Sequence, residues 1–246
     1  MKRKIWFRLY ALLLAGLTAF SLTGCGGREE PANVSAAEWG SVDASSDQAA
    51  AALENPLDPE EMFTERDLEG EYDASSAVLV TLEGSTASCS DPSVTVSDGV
   101  VTVTAAGVYI LSGKLEGMVA VEAADTDKVC LALDGAEISN KTGAAIYAKE
   151  ADKLFVTLAE GSQNSLSGAG DTAADGTNID GVIFSRCDLT VNGTGGLQIE
   201  AAEGHGIAAK DDLVIAGGTL TVNAAGHGLE GKDSVRIADG QLDITS

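Results

Sequence analysis

The chain has 246 residues, of which 44% are hydrophobic and only 4% aromatic, and it carries a formal charge of −23. That length suits one domain of ordinary size plus tails. So acidic a chain repels nucleic acid and anionic lipid headgroups, suits divalent cations, and meets acidic polysaccharide poorly unless a cation bridges the two.

Residues 1–24 read as an export signal. MKRKIWFR carries Lys2, Arg3, Lys4 and Arg8, and the next 14 residues, LYALLLAGLTAFSL, are uncharged. That run is too short to cross a bilayer comfortably. It ends in LTGC, residues 22–25. Small residues before a cysteine, directly after an apolar run, resemble the lipobox of bacterial lipoproteins. The resemblance implies cleavage before Cys25, lipid on Cys25, and an extracytoplasmic chain anchored to the bacterial cell membrane. An ordinary signal with a chance cysteine is the competing reading. Cleavage leaves 11 Lys and Arg against 38 Asp and Glu, a formal charge of −27.

Residues 25–71 are expected to form an acidic flexible tether. Between Gly26 and Glu71 stand 13 acidic and two basic residues, with few large apolar ones. Such a stretch buries too little surface to offset its ordering entropy. Within it, DPEEMFTERDLE predicts a short helix, with Asp58 or Thr64 as candidate caps.

From Tyr72 to Ser246 the pattern changes. Short runs such as SVTVS, VYILSG, LFVTL, LTVNG and TLTVN alternate apolar and small or polar residues, and Gly, Asn and Asp punctuate them. This is β-strand patterning. GHGIAAKDDLVIAGG at 204–218 recurs as GHGLEGKDSVRIADG at 226–240. Strands aligned on Val129, Leu154, Leu189, Leu213 and Val235 lie 25, 35, 24 and 22 residues apart, and the long interval holds an inserted loop at 167–180. Coils of about 22–25 residues predict an all-β fold, a parallel β-helix, with Gly195–Gly196, Gly217–Gly218 and Gly240 at tight bends. A β-sandwich is the rival, but it does not predict the recurrence at 22 residues. The last strand, LDIT, has no cap before Ser246. An open coil exposes unpaired backbone, so either the chain continues or another chain supplies the next coil; the former is expected.

Stacked coils would bring side chains at equivalent turns to about 4.8 Å. One such row is Asp127, Asp152, Cys187, Asp211 and Asp233; the next is Lys128, Lys153, Asp188, Asp212 and Ser234. Carboxylates that close repel. Either each Asp caps its own turn through backbone N–H groups, or a calcium ion gathers them. Asp188, Asp211, Asp212 and Asp233 are the candidate calcium ligands. Arg186, Lys210 and Lys232 form a parallel basic row that would either meet uronate carboxylates or neutralise the aspartates. His205 and His227 would stack one coil apart; two imidazoles can bind a transition metal, but no third ligand is evident. Cys89, Cys130 and Cys187 cannot all pair, and Cys130, within VCLAL, reads as core. Tyr109, Tyr147, Phe155 and Phe184 are expected to point largely inward. No nucleophile, phosphate-loop or nucleic-acid signature stands out, and no catalytic residue is assigned.

Five stretches carry a wider resemblance: AGVYILSGKLEG (106–117), VCLALDGAEIS (129–139), GVIFSRCDLTVNGTGGLQI (181–199), GIAAKDDLVIAGGTLTV (206–222) and GLEGKDSVRIADGQLDIT (228–245). Together they resemble a bacterial family of secreted and lipid-anchored carbohydrate-binding β-helix domains. The resemblance implies a right-handed parallel β-helix shaped like the pectate lyases. It implies non-catalytic binding of cellulose or acidic pectin-type polysaccharide, with bound calcium. Arg186, Lys210 and Lys232 would then face the glycan. A pectate-lyase-like enzyme and a structural or adhesive surface protein are the alternatives. Two departures bear on calcium. The family often has Ser-Lys-Asp-Asp-Leu where this chain has Ser185-Arg186-Cys187-Asp188-Leu189. It often has Asp-Gly where this chain has His205-Gly206 and His227-Gly228. Each change removes a carboxylate.

Overall fold

A computed structural model describes residues 62–172 and 176–246. The signal, Cys25 and the tether up to residue 61 lie outside the described residues. A short helix α1 (Glu65–Leu68) comes first. The strands follow as β1 (Val78–Gly84), β2 (Thr86–Ser88), β3 (Val94–Ser97), β4 (Val100–Val103), β5 (Gly107–Glu116), β6 (Met118–Glu122) and β7 (Lys128–Ser139). Next are β8 (Ile146–Glu150), β9 (Lys153–Leu158), β10 (Gln163–Gly168), β11 (Asp171–Thr172), β12 (Asn178–Ile179) and β13 (Gly181–Ser185). The last are β14 (Asp188–Gly193), β15 (Gly196–Ala201), β16 (His205–Ala209), β17 (Asp212–Ala224), β18 (Leu229–Gly231) and β19 (Ser234–Thr245).

The all-β class stands, but the right-handed parallel β-helix solenoid is corrected. Six parallel strands close on themselves in the order β7, β9, β14, β17, β15, β10 and back to β7. This barrel-like circuit belongs to a larger sheet that also holds β5, β1, β2 and β19. A separate seven-stranded sheet runs β18, β16, β13, β8, β6, β4, β3. The pairs β1–β2, β3–β4 and β11–β12 are antiparallel. The physical reason lies in two long strands. β7 has 12 residues and β17 has 13, and each joins two ladders instead of stopping at a corner. Glycines mark the bends, and a glycine does not tell whether hydrogen bonding breaks there or continues through.

The register pairs Val129 with Leu154, Leu154 with Leu189, Leu189 with Leu213, and Leu213 with Val235. Successive levels therefore superpose like on like. Val129, Leu154, Leu189 and Leu213 are fully buried inside, and Leu131, Val156, Val191 and Ile215 follow two residues on. Burying one such Leu is worth about 2 kcal/mol. At the corner after β10 starts, Asn164 spans three levels. Its Oδ1 accepts from the Gly135 and Ala136 N–H groups, and its Nδ2 donates to Gly196 O at 3.0 Å.

Residues 62–71, expected to be spacer, are packed onto the body. Thr64 caps α1 and closes a capping box with Asp67. Asp67 is only 2% exposed. It pairs with Lys153 at 2.7 Å and accepts from Thr190 Oγ1 at 2.5 Å. Asn192 Nδ2 donates to the carbonyls of Asp67 and Glu69, and Arg66 lies 4.7 Å over the Phe155 ring. The outer faces of β9 and β14 thus carry the polar Lys153, Thr190 and Asn192 beside Phe155, where the strap crosses them. Tyr147, Ile179, Phe184 and Ala208 make a second apolar cluster on the outer face of the other sheet. Tyr109, Tyr147, Phe155 and Phe184 are all buried, as is Cys130.

Candidate functional site

Asp188, Asp211, Asp212 and Asp233 lie where three successive levels enter β14, β17 and β19. The structure distributes their bonds across levels rather than within each turn. Asp188 Oδ1 accepts from the Asp212 N–H at 3.3 Å, as Asp127 Oδ2 accepts from the Ala106 N–H at 3.2 Å. Asp212 accepts from Ser234 Oγ at 2.7 Å and is ion-paired with Arg236. Arg236 also donates to Met62 O at 2.7 Å. Sequence reasoning passed over Arg236, because nothing local ties it to an aspartate 24 residues earlier. Asp211 differs from its neighbours. Partial burial pushes its carboxyl above the usual carboxylate range, and Asp188, Asp233 and Asp212 push it further. A cation here would relieve that repulsion.

The basic row exists as a ladder: the Lys210 N–H donates to Ser185 O and the Lys232 N–H to Ala209 O. Lys210 is held by Asp180 at 3.3 Å and Glu230 at 3.6 Å, with its ammonium 5.3 Å over the Phe184 ring. Lys232 is exposed and lies 3.7 Å from Asp233. Arg186, also exposed, borders a small hollow with Lys149, Glu150 and Cys187. Lys210 thus pairs with carboxylates outside the stacked aspartates, while Lys232 meets Asp233 within them.

His205 and His227 stack with ring centroids 4.9 Å apart and planes 5° from parallel. With Glu230 they form the one group of three metal-type ligands, among the described residues, whose donor atoms lie within 4.8 Å of each other. The four aspartates do not converge that closely. The hydrogen bonds argue for structure at the histidines. His205 Nδ1 accepts from the His227 N–H at 2.8 Å, so the neutral ring carries its proton on Nε2 and gives it to Glu230 at 2.9 Å. A metal on Nε2 would have to displace that proton.

A groove of about 990 Å³ lies along another corner. Its floor crosses four levels, at Ala159–Glu160, Gly193–Thr194, Gly217–Thr219 and Gly240–Gln241. The strap forms one wall with Leu68, Gly70, Glu71, Tyr72 and Ala74. Tyr72 is half-buried, and burial, with Asp134 and Cys130 nearby, pushes its hydroxyl upward. Tyr72 is the aromatic that sequence reasoning placed only at a boundary.

The chain belongs to the family of carbohydrate-binding domain-containing proteins, whose match covers residues 97–246. It is 36% identical over 133 residues to a carbohydrate-binding domain-containing protein of Acetivibrio thermocellus, covering 52% of this chain and 46% of that protein. The chain thus spans about half the length of that curated relative. Among solved structures, it resembles the polysaccharide lyase-like protein from C. thermocellum in its gadolinium derivative. That likeness has a TM-score of 0.66 and 33% identity, over 69% of this chain and 71% of the other.

Proposed function

We propose that this protein is a non-catalytic, cell-surface polysaccharide-binding lipoprotein, anchored through lipid on Cys25, that takes cellulose or pectin-type glycans with calcium assistance. Membership of the carbohydrate-binding family supports the glycan. The calcium reading is carried by the placement of Asp188, Asp211 and Asp233 at the starts of three paired strands, where Asp188, Asp233 and Asp212 each push the Asp211 carboxyl up. Ca²⁺ takes carboxylate and carbonyl oxygens as ligands.

Two opposite effects are expected at Asp211. Its raised carboxyl means that ionisation subtracts stability as pH rises through the carboxylate range. In chelator at neutral pH, Asp211→Asn should therefore raise the melting temperature of the full chain. Calcium should raise the melting temperature of the parent chain, since a ligand of the folded state stabilises it, and should do so less in Asp211→Asn. A parent melt indifferent to millimolar Ca²⁺ sinks the calcium reading.

The solved relative's description as lyase-like keeps an enzyme as the second reading. A lyase needs a base at the sugar ring, and Lys210 is engaged by Asp180 and Glu230. Incubated with polygalacturonate and Ca²⁺, the protein is expected to generate no unsaturated product absorbance. Sustained product formation would overturn the binder reading.

A further inference from the structure

We propose that the glycine-floored groove is the glycan site, and that it holds one extended, neutral β-linked chain running along the stack, about one pyranose per level. This rests on the carbohydrate-binding reading above and adds the place, the direction and the charge class.

Three observations converge. The first is spacing. Levels in register lie about 4.8 Å apart, close to the length one pyranose adds to an extended β-1,4-linked chain. The groove crosses levels rather than following strands, so a chain in it meets equivalent positions repeatedly. Leu158 pairs with Gly193, Gly196 with Thr219, and Thr219 with Gln241, which puts the four floor segments on successive levels.

The second is the floor. A Cβ on Gly193 would stand 2.2 Å from Leu158 O, and one on Gly217 would stand 2.5 Å from Gly193 O. Close stacking explains the glycines by itself. Gly193 is itself covered by Gly70 of the strap, and the floor is left low at the partly exposed Gly218 and the exposed Gly240. Thr194, Thr219 and Gln241 supply hydroxyl and amide groups along it.

The third is charge. Glu71, Glu160 and Asp239 border the groove, and among the described residues no Lys or Arg lines it. Carboxylates accept hydrogen bonds from sugar hydroxyls and repel uronates. Tyr72 offers a partly exposed ring at the wall. An acidic glycan would be better served at the corner of Arg186, Asp211 and Lys232, a different edge of the molecule.

Isothermal calorimetry with cello-oligosaccharides of increasing length tests this on the full chain. Affinity should climb from dimer to tetramer and then level off, with little dependence on salt. Thr194 and Thr219 are exposed, so Thr194→Arg and Thr219→Arg fill the groove without touching the core. Each should weaken cellotetraose by about tenfold or more, which is about 1.4 kcal/mol, at an unchanged melting temperature. Tyr72→Ala should weaken it as well, with Tyr72→Phe largely restoring binding. If the parent binds glycans but both arginine variants bind equally well, the groove assignment is wrong and the carbohydrate reading survives. The groove assignment is equally wrong if binding is to polygalacturonate alone and is lost in chelator. If the parent retains no glycan, neutral or acidic, both readings fall.

Discussion

Replacing Asp67 by alanine should cost about 3–5 kcal/mol, the loss typical when one partner of a buried ion pair is removed. The residue looks peripheral in sequence, yet its carboxylate meets Lys153, Thr190 and the Thr64 N–H. Lys153 has a side chain only 13% exposed, and it would be left buried without its counter-charge. The double variant Asp67→Ala/Lys153→Met should recover much of the loss, because methionine, uncharged and close to lysine in volume, removes the stranded charge. A double variant as unstable as the sum of the two single variants would show that the stranded charge is not the source of the loss. The same group sets an acid limit. Burial tends to raise its pKa, but Lys153, Thr190 and Thr64 together outweigh that and bring it down to about 2 from 3.8. A depressed carboxyl stabilises the fold above its unfolded value and loses that contribution as pH falls toward its folded value. Asp67 should thus supply about 2 kcal/mol at neutral pH that disappears between about pH 4 and pH 2. Melts of parent and Asp67→Asn over that range should converge at the acid end.

Gly193→Ala is the second large effect, expected at roughly 4 kcal/mol and a fall in melting temperature of about 10 °C. Gly193 has φ +93°, and its added Cβ would press on backbone, which cannot swing aside. Gly84 provides the comparison: its φ is +70°, but an added Cβ there meets nothing within 4 Å. Gly84→Ala isolates the conformational cost, about 1–2 kcal/mol. Equal losses at the two glycines would show that close stacking at Gly193 adds nothing to the conformational cost.

These two residues mark how far the sequence could be read. The strand pattern, the Thr64 cap, the buried Cys130 and the stacked histidines all follow from local periodicity or from equal spacing. The starts at Val129, Leu154, Leu189, Leu213 and Val235 are ladder partners because superposed levels need like residues at like places. The closed circuit could not be read this way. It depends on β7 and β17 continuing through their bends, and the residues at a bend are the same whether pairing stops or continues. The strap was missed for a different reason. Residues 62–71 are acidic and short of apolar bulk, so composition assigns them to solvent. Their partners, Lys153, Phe155, Thr190 and Asn192, sit 86 to 125 residues away. The sign on the strand side was polar residues where alternation predicted an exposed face: Thr157, Thr190 and Asn192 are fully buried. At the candidate calcium corner, spacing brought the four aspartates to neighbouring levels, but only atomic positions separate Asp212, paired with Arg236, from Asp211, whose carboxyl is pushed up by burial and its acidic neighbours.

The strap also changes how the molecule comes apart. A stack whose levels touch only their neighbours can fray from an end, one level at a time, and has no single melting event. Here the N-terminal segment reaches across: α1 grips β9 and β14, and Met62 O receives Arg236 from β19, 174 residues along the chain. Peeling away the last strand therefore loosens the first described residues, and releasing the strap uncovers the middle of the stack. The strap thereby couples the loss of β19 to the exposure of β9 and β14, through Asp67 and Arg236.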